Sequence, residues 1–334
     1  MNKVKGVNLG GWFVLERWMK QSLFEGIDSK DETGFVLNHP DAKVALETHW
    51  NTWITYKDFL WLKKQGITSV RIPIPWWLKN ESPYFSPLKY IKRALNWAKK
   101  SGLSVMLDLH TAPGCQNGFD NGGIEGVIDW PKDIKNIKKT VKVLGFIAKT
   151  LLNHESIFAL EVLNEPHYHI DLKLIQDFYL DAYHEIRKYS NKTIVFHDAF
   201  RPSDPSWIPF LSQKEFENIA FDMHLYHCFE ERLAHGTVEI QIEEVIQKRL
   251  PLIASLNSVL PVFIGEWSLG IHYQGLKTPP GFDKIAFEKL LSALQLYAYN
   301  YATGYYFWSY KIEHEGQRHN WDFRKLIENG TMHL

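Results

Sequence analysis

Two glutamates stand where a carboxylate is costly to bury. Glu165, in Asn164-Glu165-Pro166, and Glu266, in Gly265-Glu266-Trp267, each close a short apolar run that reads as a buried strand. An ionisable group in such a place has to be paired or put to use. Two carboxyls facing each other across a substrate can cut an acetal. One, protonated, assists the leaving oxygen; the other, ionised, attacks carbon or activates water. That division of roles needs environments that push the two pKa values apart. Polar residues close other apolar runs as well: Arg71 near Pro73, Asp108-Leu109-His110, His224-Leu225-Tyr226 and Phe307-Trp308-Ser309. Arg71, a fixed positive charge, suits the carboxylate that has to stay ionised.

Residues this far apart in the chain meet only if the elements carrying them converge. Short β-branched or aromatic runs alternate with longer helical patterns, the signature of a parallel sheet wrapped by helices. The expected strands are Val4–Gly10, Ser69–Ile74, Ser104–His110, Ile157–Asn164, Thr193–His197, Ile219–Tyr226, Pro261–Glu266 and Gly304–Ser309. Helices are expected over Tyr56–Gln65, Lys89–Lys100, Ile134–Leu152, Ile175–Lys188, Val238–Leu256 and Phe287–Tyr301, with Gly66 and Gly102 just past two of them. No linker, repeat or low-complexity tract divides the chain. The fold class is therefore α/β, a single (β/α)8 TIM barrel over residues 1–334, although length alone would suggest about two domains. In a closed barrel the fourth and seventh strands face each other across the mouth, which can set Glu165 and Glu266 a sugar's width apart. The longest interruptions, Glu16–Asn51, Thr111–Pro131 and Phe200–Glu217, all follow the carboxyl ends of strands, where barrel sites are built.

Composition narrows the partners. Hydrophobic residues make up 45% and charged residues 23%, enough apolar side chain for a large core. The net charge is +0, with 38 basic and 38 acidic residues, which argues against nucleic acid or an anionic membrane surface as partner. Aromatic content reaches 14%, with 13 Trp. Many of those rings fill core, but sugars present apolar C–H faces that stack on aromatics, so the excess fits a carbohydrate site. Cys115 and Cys228 make neither a disulfide framework nor a metal-ligand pattern, and both are expected as free thiols. No charged-then-apolar leader precedes the first expected strand, and no stretch reaches about 18 uninterrupted apolar residues. The expectation is a cytoplasmic protein, or a secreted one whose leader was removed, with no obligate protein partner evident.

Several segments carry a resemblance. Gly6-Val7-Asn8-Leu9-Gly10-Gly11-Trp12-Phe13-Val14-Leu15-Glu16 looks like the opening of the exo-β-1,3-glucanase branch of glycoside hydrolase family 5. The same branch is resembled by Asp108-Leu109-His110-Thr111-Ala112-Pro113-Gly114-Cys115-Gln116-Asn117-Gly118-Phe119-Asp120, Leu163-Asn164-Glu165-Pro166, Ile264-Gly265-Glu266-Trp267-Ser268 and Phe307-Trp308-Ser309-Tyr310-Lys311. The resemblance implies Glu165 as acid/base and Glu266 as nucleophile of a retaining enzyme. It implies that Asn164 bonds the 2-hydroxyl of the cleaved sugar, and that Arg71 and Tyr226 hold and ionise Glu266. His110 and His224 would line the same subsite, Trp308 would floor it, and Glu16 would bind hydroxyls at the non-reducing end. Asp120 would belong to the same sugar-binding set, and Phe119 and Phe229 would clamp the next sugar. The implied activity is exo-β-1,3-glucanase or β-glucosidase on gluco-oligosaccharides; other β-glucosides, including glycolipids, and endo-β-1,4-glucanase are the alternatives.

Two rival readings are weaker. His167/His169 and His224/His227 invite a metal, but the first strand offers no His-x-His and neither glutamate sits among ligands, so no metal is expected. A non-catalytic sugar-binding barrel has no use for an acid/base pair. No Gly-x-Gly-x-x-Gly follows a strand, so no cofactor is expected.

Overall fold

The computed structural model describes residues 3–313 and 319–334; Met1 and Asn2, ahead of the first expected strand, lie outside them. Eight parallel strands close into a barrel in sequence order. They are β1 (Val4–Asn8), β2 (Ser69–Ile74), β3 (Ser104–Leu109), β4 (Ile157–Glu161), β5 (Thr193–His197), β6 (Ile219–Leu225), β7 (Val262–Trp267) and β8 (Gly304–Phe307). β8 returns to pair with β1, and helices cover the outside, the (β/α)8 architecture that the alternating runs predict.

The interior shows why the chemistry collects at one end. Side chains alternate inward and outward along a strand, so inward residues form layers. Near the amino ends that layer is apolar: Met106, Ala159, Val195, Ala220, Phe263 and Tyr306 make a buried cluster of their own. Tyr306 fills the axis so tightly that a Cβ on Gly6 would lie 2.1 Å from its ring. Two residues further along β1, β3, β4 and β6 the inward positions become Asn8, Asp108, Glu161 and Asp222, and β2 supplies Arg71 at the same depth; all are fully buried. A slip of one residue in register would turn this polar layer outward.

Several strands are shorter than expected. β1 stops at Asn8, β4 at Glu161 and β8 at Phe307, because the residues beyond them leave the ladder and line the mouth. Ladder irregularities sit beside the site: the β6–β7 register shifts between Met223 and His224, so that His224 comes opposite Glu266. Such bulges re-aim side chains next to active sites. The expected helix Val238–Leu256 is α-helical over Val238–Glu243, π-helical over Glu244–Arg249 and α-helical again over Leu250–Asn257. The interruption after β1 contains two helices that the sequence does not predict, Glu32–Asn38 and Ala42–Thr52. Gly66 and Gly102 adopt φ of 85° and 69°, the left-handed turn expected just past a helix. Among the described residues no helix is long and apolar enough to cross a membrane.

Candidate active site

Arg71 is the hub of the mouth. Its Nε donates to Glu161 Oε2 at 2.8 Å and its Nη1 to Asn8 Oδ1 and Glu266 Oε1, both at 2.9 Å. Its Nη2 donates to Asn164 Oδ1 at 2.8 Å and lies 3.1 Å from Asp108 Oδ2. A guanidinium presents its donors in one rigid plane, so β1, β2, β3, β4 and β7 are tied through a single side chain. The neighbouring carboxylates hold the Arg71 pKa well above its usual value against the pull of burial.

Glu266 reaches the mouth from β7. Its Oε1 takes the Arg71 bond and its Oε2 accepts from the Tyr226 hydroxyl at 2.6 Å. Glu165 lies four residues past the end of β4 with a left-handed backbone, φ 46°, a conformation found at functional turns in non-glycine residues. Its Oε1 is 2.7 Å from His224 Nδ1, and its Oε2 accepts from Asn121 Nδ2 at 2.9 Å. His224 joins the two acids, its Nδ1 being 2.7 Å from Glu165 Oε1 and 3.6 Å from Glu266 Oε2. Those two oxygens are therefore no more than about 6.3 Å apart, which admits the separation of about 5–5.5 Å that a retaining pair of carboxyls uses.

The two carboxyls are driven apart in pKa, but the directions are the reverse of those expected from the sequence. Burial raises Glu165, yet the hydrogen bond and charge of His224, with Asn121, outweigh it and hold the group below its ordinary value. Burial also raises Glu266; His224 and Arg71 pull it down and the Glu165 charge pushes it up, and the net shift is upward. The cause is His224. Burial disfavours its charge, but Glu266, Asp222 and Glu165 together hold its pKa well above the usual histidine value. A raised His224 pKa favours the imidazolium beside Glu165, and that charge is what holds the carboxyl low.

Around the dyad stand the other expected residues. Trp308 stacks on His110 with ring centroids 5.6 Å apart and planes within 2°. It passes so close to the segment after β1 that a Cβ on Gly10 would lie 3.0 Å from its ring. His110 Nδ1 is bound to Asp108 at 2.5 Å, while its Nε2 is buried with no hydrogen-bond partner. Glu16 accepts from Trp18 Nε1 at 2.8 Å through Oε2 and keeps Oε1 buried and unpartnered. Burial, then the charge of Asp120, raise Glu16 well above its ordinary value; burial raises Asp120 itself to about 6. Phe119 lies against His167, and Phe229 against Tyr226 and Trp321. Both rings are exposed, 37% and 74%, as free faces at an entrance would be.

The sequence reading missed Asn121, the direct partner of Glu165, and Trp321, which packs on Trp18, Tyr226 and Phe229. It also missed Gln116, whose Nε2 donates to the His110 and Asn164 carbonyls, both at 2.9 Å. Glu161, Asp108 and Asn8 were readable as strand residues but not as the partners of Arg71. Two buried groups bring ligand atoms within reach of one ion, Glu165 with His197 and His224, and Glu161 with Asp222 and His224. His224 belongs to both; its Nδ1 is 2.7 Å from Glu165 Oε1 and its Nε2 is 3.5 Å from Asp222 Oδ2.

The family model described as Cellulase (glycosyl hydrolase family 5) matches residues 33–313. This chain belongs to glycosyl hydrolase family 5. It is thereby an O-glycosyl hydrolase, on the (β/α)8 barrel described above. A glucan 1,3-beta-glucosidase of Blumeria graminis is 33% identical over 99% of this chain and 86% of that protein. A probable glucan 1,3-beta-glucosidase A of Emericella nidulans is 33% identical over 98% of this chain and 89% of its own length. In structure, this family 5 chain matches a rutinosidase from Aspergillus niger with a TM-score of 0.82, over 98% of this chain and 97% of that one. The identity there is 21%, so that likeness speaks to the fold alone.

Proposed function

We propose that this family 5 chain works as one catalytic barrel over residues 1–334, a retaining exo-acting β-1,3-glucanase or β-glucosidase that releases glucose from gluco-oligosaccharides. The observation that carries the mechanism is the His224 bridge, which keeps Glu165 Oε1 and Glu266 Oε2 within about 6.3 Å. In the first step a Glu266 oxygen attacks the anomeric carbon and forms an ester bond. The glycosidic C–O bond breaks and its oxygen takes the proton of Glu165. In the second step water attacks the same carbon and gives its proton to Glu165, and the ester electron pair returns to Glu266. Two inversions leave the β-anomer.

Each neighbour has a part. Arg71 and Tyr226 direct two hydrogen bonds at Glu266 and favour its ionised form. Arg71 also fixes the Asn164 amide by occupying its oxygen, leaving Nδ2 for the sugar 2-hydroxyl. Trp308 floors the subsite, His110 and Glu16 offer their unpartnered atoms to hydroxyls, and Asp120 lies beside Glu16. Phe119 and Phe229 receive the following sugar. A proton on His224 and a proton on Glu165 are the same charge state of the trio, separated by transfer across one 2.7 Å contact. A bound ring excludes the water that solvates the separated charges, which favours the neutral pair and arms Glu165.

The β-1,3 preference is supported by the relatives named as glucan 1,3-beta-glucosidases. Chromatography of early products from β-1,3-, β-1,4- and mixed-linkage gluco-oligomers tests it. Glucose alone, formed fastest from the β-1,3 series, is expected. A ladder of product sizes, or preference for the β-1,4 series, would replace the exo-β-1,3 reading with an endo-β-1,4 one.

A further inference from the structure

Behind β6 lies a buried charge that no step above uses. Arg249 is 4% exposed and ends the π-helical stretch Glu244–Arg249. A π-turn shifts the phase of side chains around a helix and recurs at functional sites. Here it turns Arg249 inward onto the barrel. Its Nη2 donates to the Tyr226 carbonyl, its Nη1 to the Leu225 carbonyl at 3.4 Å, and its Nε to Glu244 Oε1 at 3.3 Å. Glu244 is also bonded by Arg232, in the short helix that follows Phe229. Gln241, fully buried two turns earlier, sets its Oε1 2.8 Å from His227 Nδ1. Three consecutive residues, Leu225, Tyr226 and His227, are thus held from outside by one helix.

Burying a guanidinium costs several kcal/mol unless it is well paired, and apolar side chains would fasten a helix to a strand as firmly. What the charge adds is direction. The hydroxyl of Tyr226 meets Glu266 at 2.6 Å, and the main chain of the same residue is where Arg249 takes hold. We infer that Arg249 is a positioning residue for the glycosidase reaction, fixing the Tyr226 backbone so that its hydroxyl stays aligned on Glu266. The inference rests on the role proposed for Tyr226. The charged and titratable groups that bear on Glu266 are Glu16 after β1, Arg71 from β2, His110 after β3, Glu165 after β4, and His224 and Tyr226 at β6. Arg249 acts through the last of these.

A double-mutant comparison on an aryl β-glucoside, reading kcat and KM separately across pH, tests this. Arg249→Met is expected to lower kcat on the order of tenfold, as loss of outer supporting groups does, with KM nearly unchanged. The acidic limb of kcat/KM should move to higher pH, because a weaker Tyr226 bond favours the ionised Glu266 less. Arg249→Lys should recover part of the loss. In a Tyr226→Phe background, itself slowed on the order of a hundredfold, Arg249→Met should lower kcat by less than about twofold. Equal losses in both backgrounds, or a change in melting temperature alone, would overturn the inference. Should Arg249→Met fail to fold, Glu244→Gln loosens the same side chain and is read in the same two backgrounds. Tyr226→Phe without loss of turnover would remove the reading of Tyr226 and this inference with it. Loss at Tyr226 with none at Arg249 would remove the inference alone.

Discussion

Glu266 and Glu165 differ in what surrounds them, and the difference sets what their removal should do. Glu266 carries the bonds of Arg71 and Tyr226, so its loss deletes the attacking group while leaving a shaped cavity. Glu266→Ala is expected to lower turnover by roughly five orders of magnitude, as loss of a nucleophile does. Azide should restore part of the rate on an activated glycoside and yield the α-glycosyl azide; substantial turnover without azide would contradict the role. Glu165→Ala should slow substrates with poor leaving groups by about 10²–10⁴-fold, the usual reach of general acid catalysis, and activated aryl glycosides far less. Equal slowing of both would take the acid role away. At this scale the sequence was informative wherever an ionisable residue followed an apolar run, as at Arg71, Glu165 and Glu266. It was silent on Asn121, whose contact with Glu165 depends on the 3-10 turn Asp120–Gly122. It was silent too on where the shared proton rests, which is a property of three groups together.

The element that does most to shape the mouth is the segment after β3. Gln116 ties it down, donating to the ends of β3 and β4 and accepting from Ala112 N–H at 3.0 Å. Gln116→Leu leaves those backbone groups unpaired in a buried place. The expected cost is on the order of 2–4 kcal/mol, together with a lower kcat as Asn121 loses its setting; unchanged melting temperature and turnover would count against it. The existence and order of the strands were legible from period and composition. Their ends were not, because residues such as Gly10, Asn164 and Ser309 look like strand but lie beyond the paired register, Asn164 keeping only a main-chain bond to Leu109. The helix Glu32–Asn38 escaped because it is short and lies in a segment rich in turn formers, and Ala42–Thr52 because it buries only a narrow stripe, Ala42, Leu46, His49 and Trp50, among polar residues. The π-turn at Glu244–Arg249 leaves no trace in a 3.6-residue pattern.

At the scale of the whole molecule the barrel concentrates charge, and stability must feel it. Glu32, fully buried in the first turn of the helix Glu32–Asn38, accepts from Leu15 N–H at 3.0 Å. Burial pushes its pKa from 4.5 up to about 8. Between those values the folded chain keeps a proton that the unfolded chain releases, so the Glu32 contribution to stability falls as pH rises from about 4.5 to about 8 and is level outside that window. Glu32→Gln removes the dependence and preserves an acceptor for Leu15. Its melting temperature should gain steadily on the parent between pH 5 and pH 8; parallel curves would contradict the assignment.

The most direct test of the two-carboxylate account is to trap the covalent stage. A 2-deoxy-2-fluoro-β-glucoside with an activated leaving group slows both steps and lets the glycosyl ester accumulate. Mass spectrometry of the digested protein should find one fluoroglucosyl group per chain, on the peptide carrying Glu266, and its release with turnover of a good acceptor. A label on any other residue, or rapid hydrolysis to the α-sugar with no label at all, would contradict double displacement between the ends of β4 and β7.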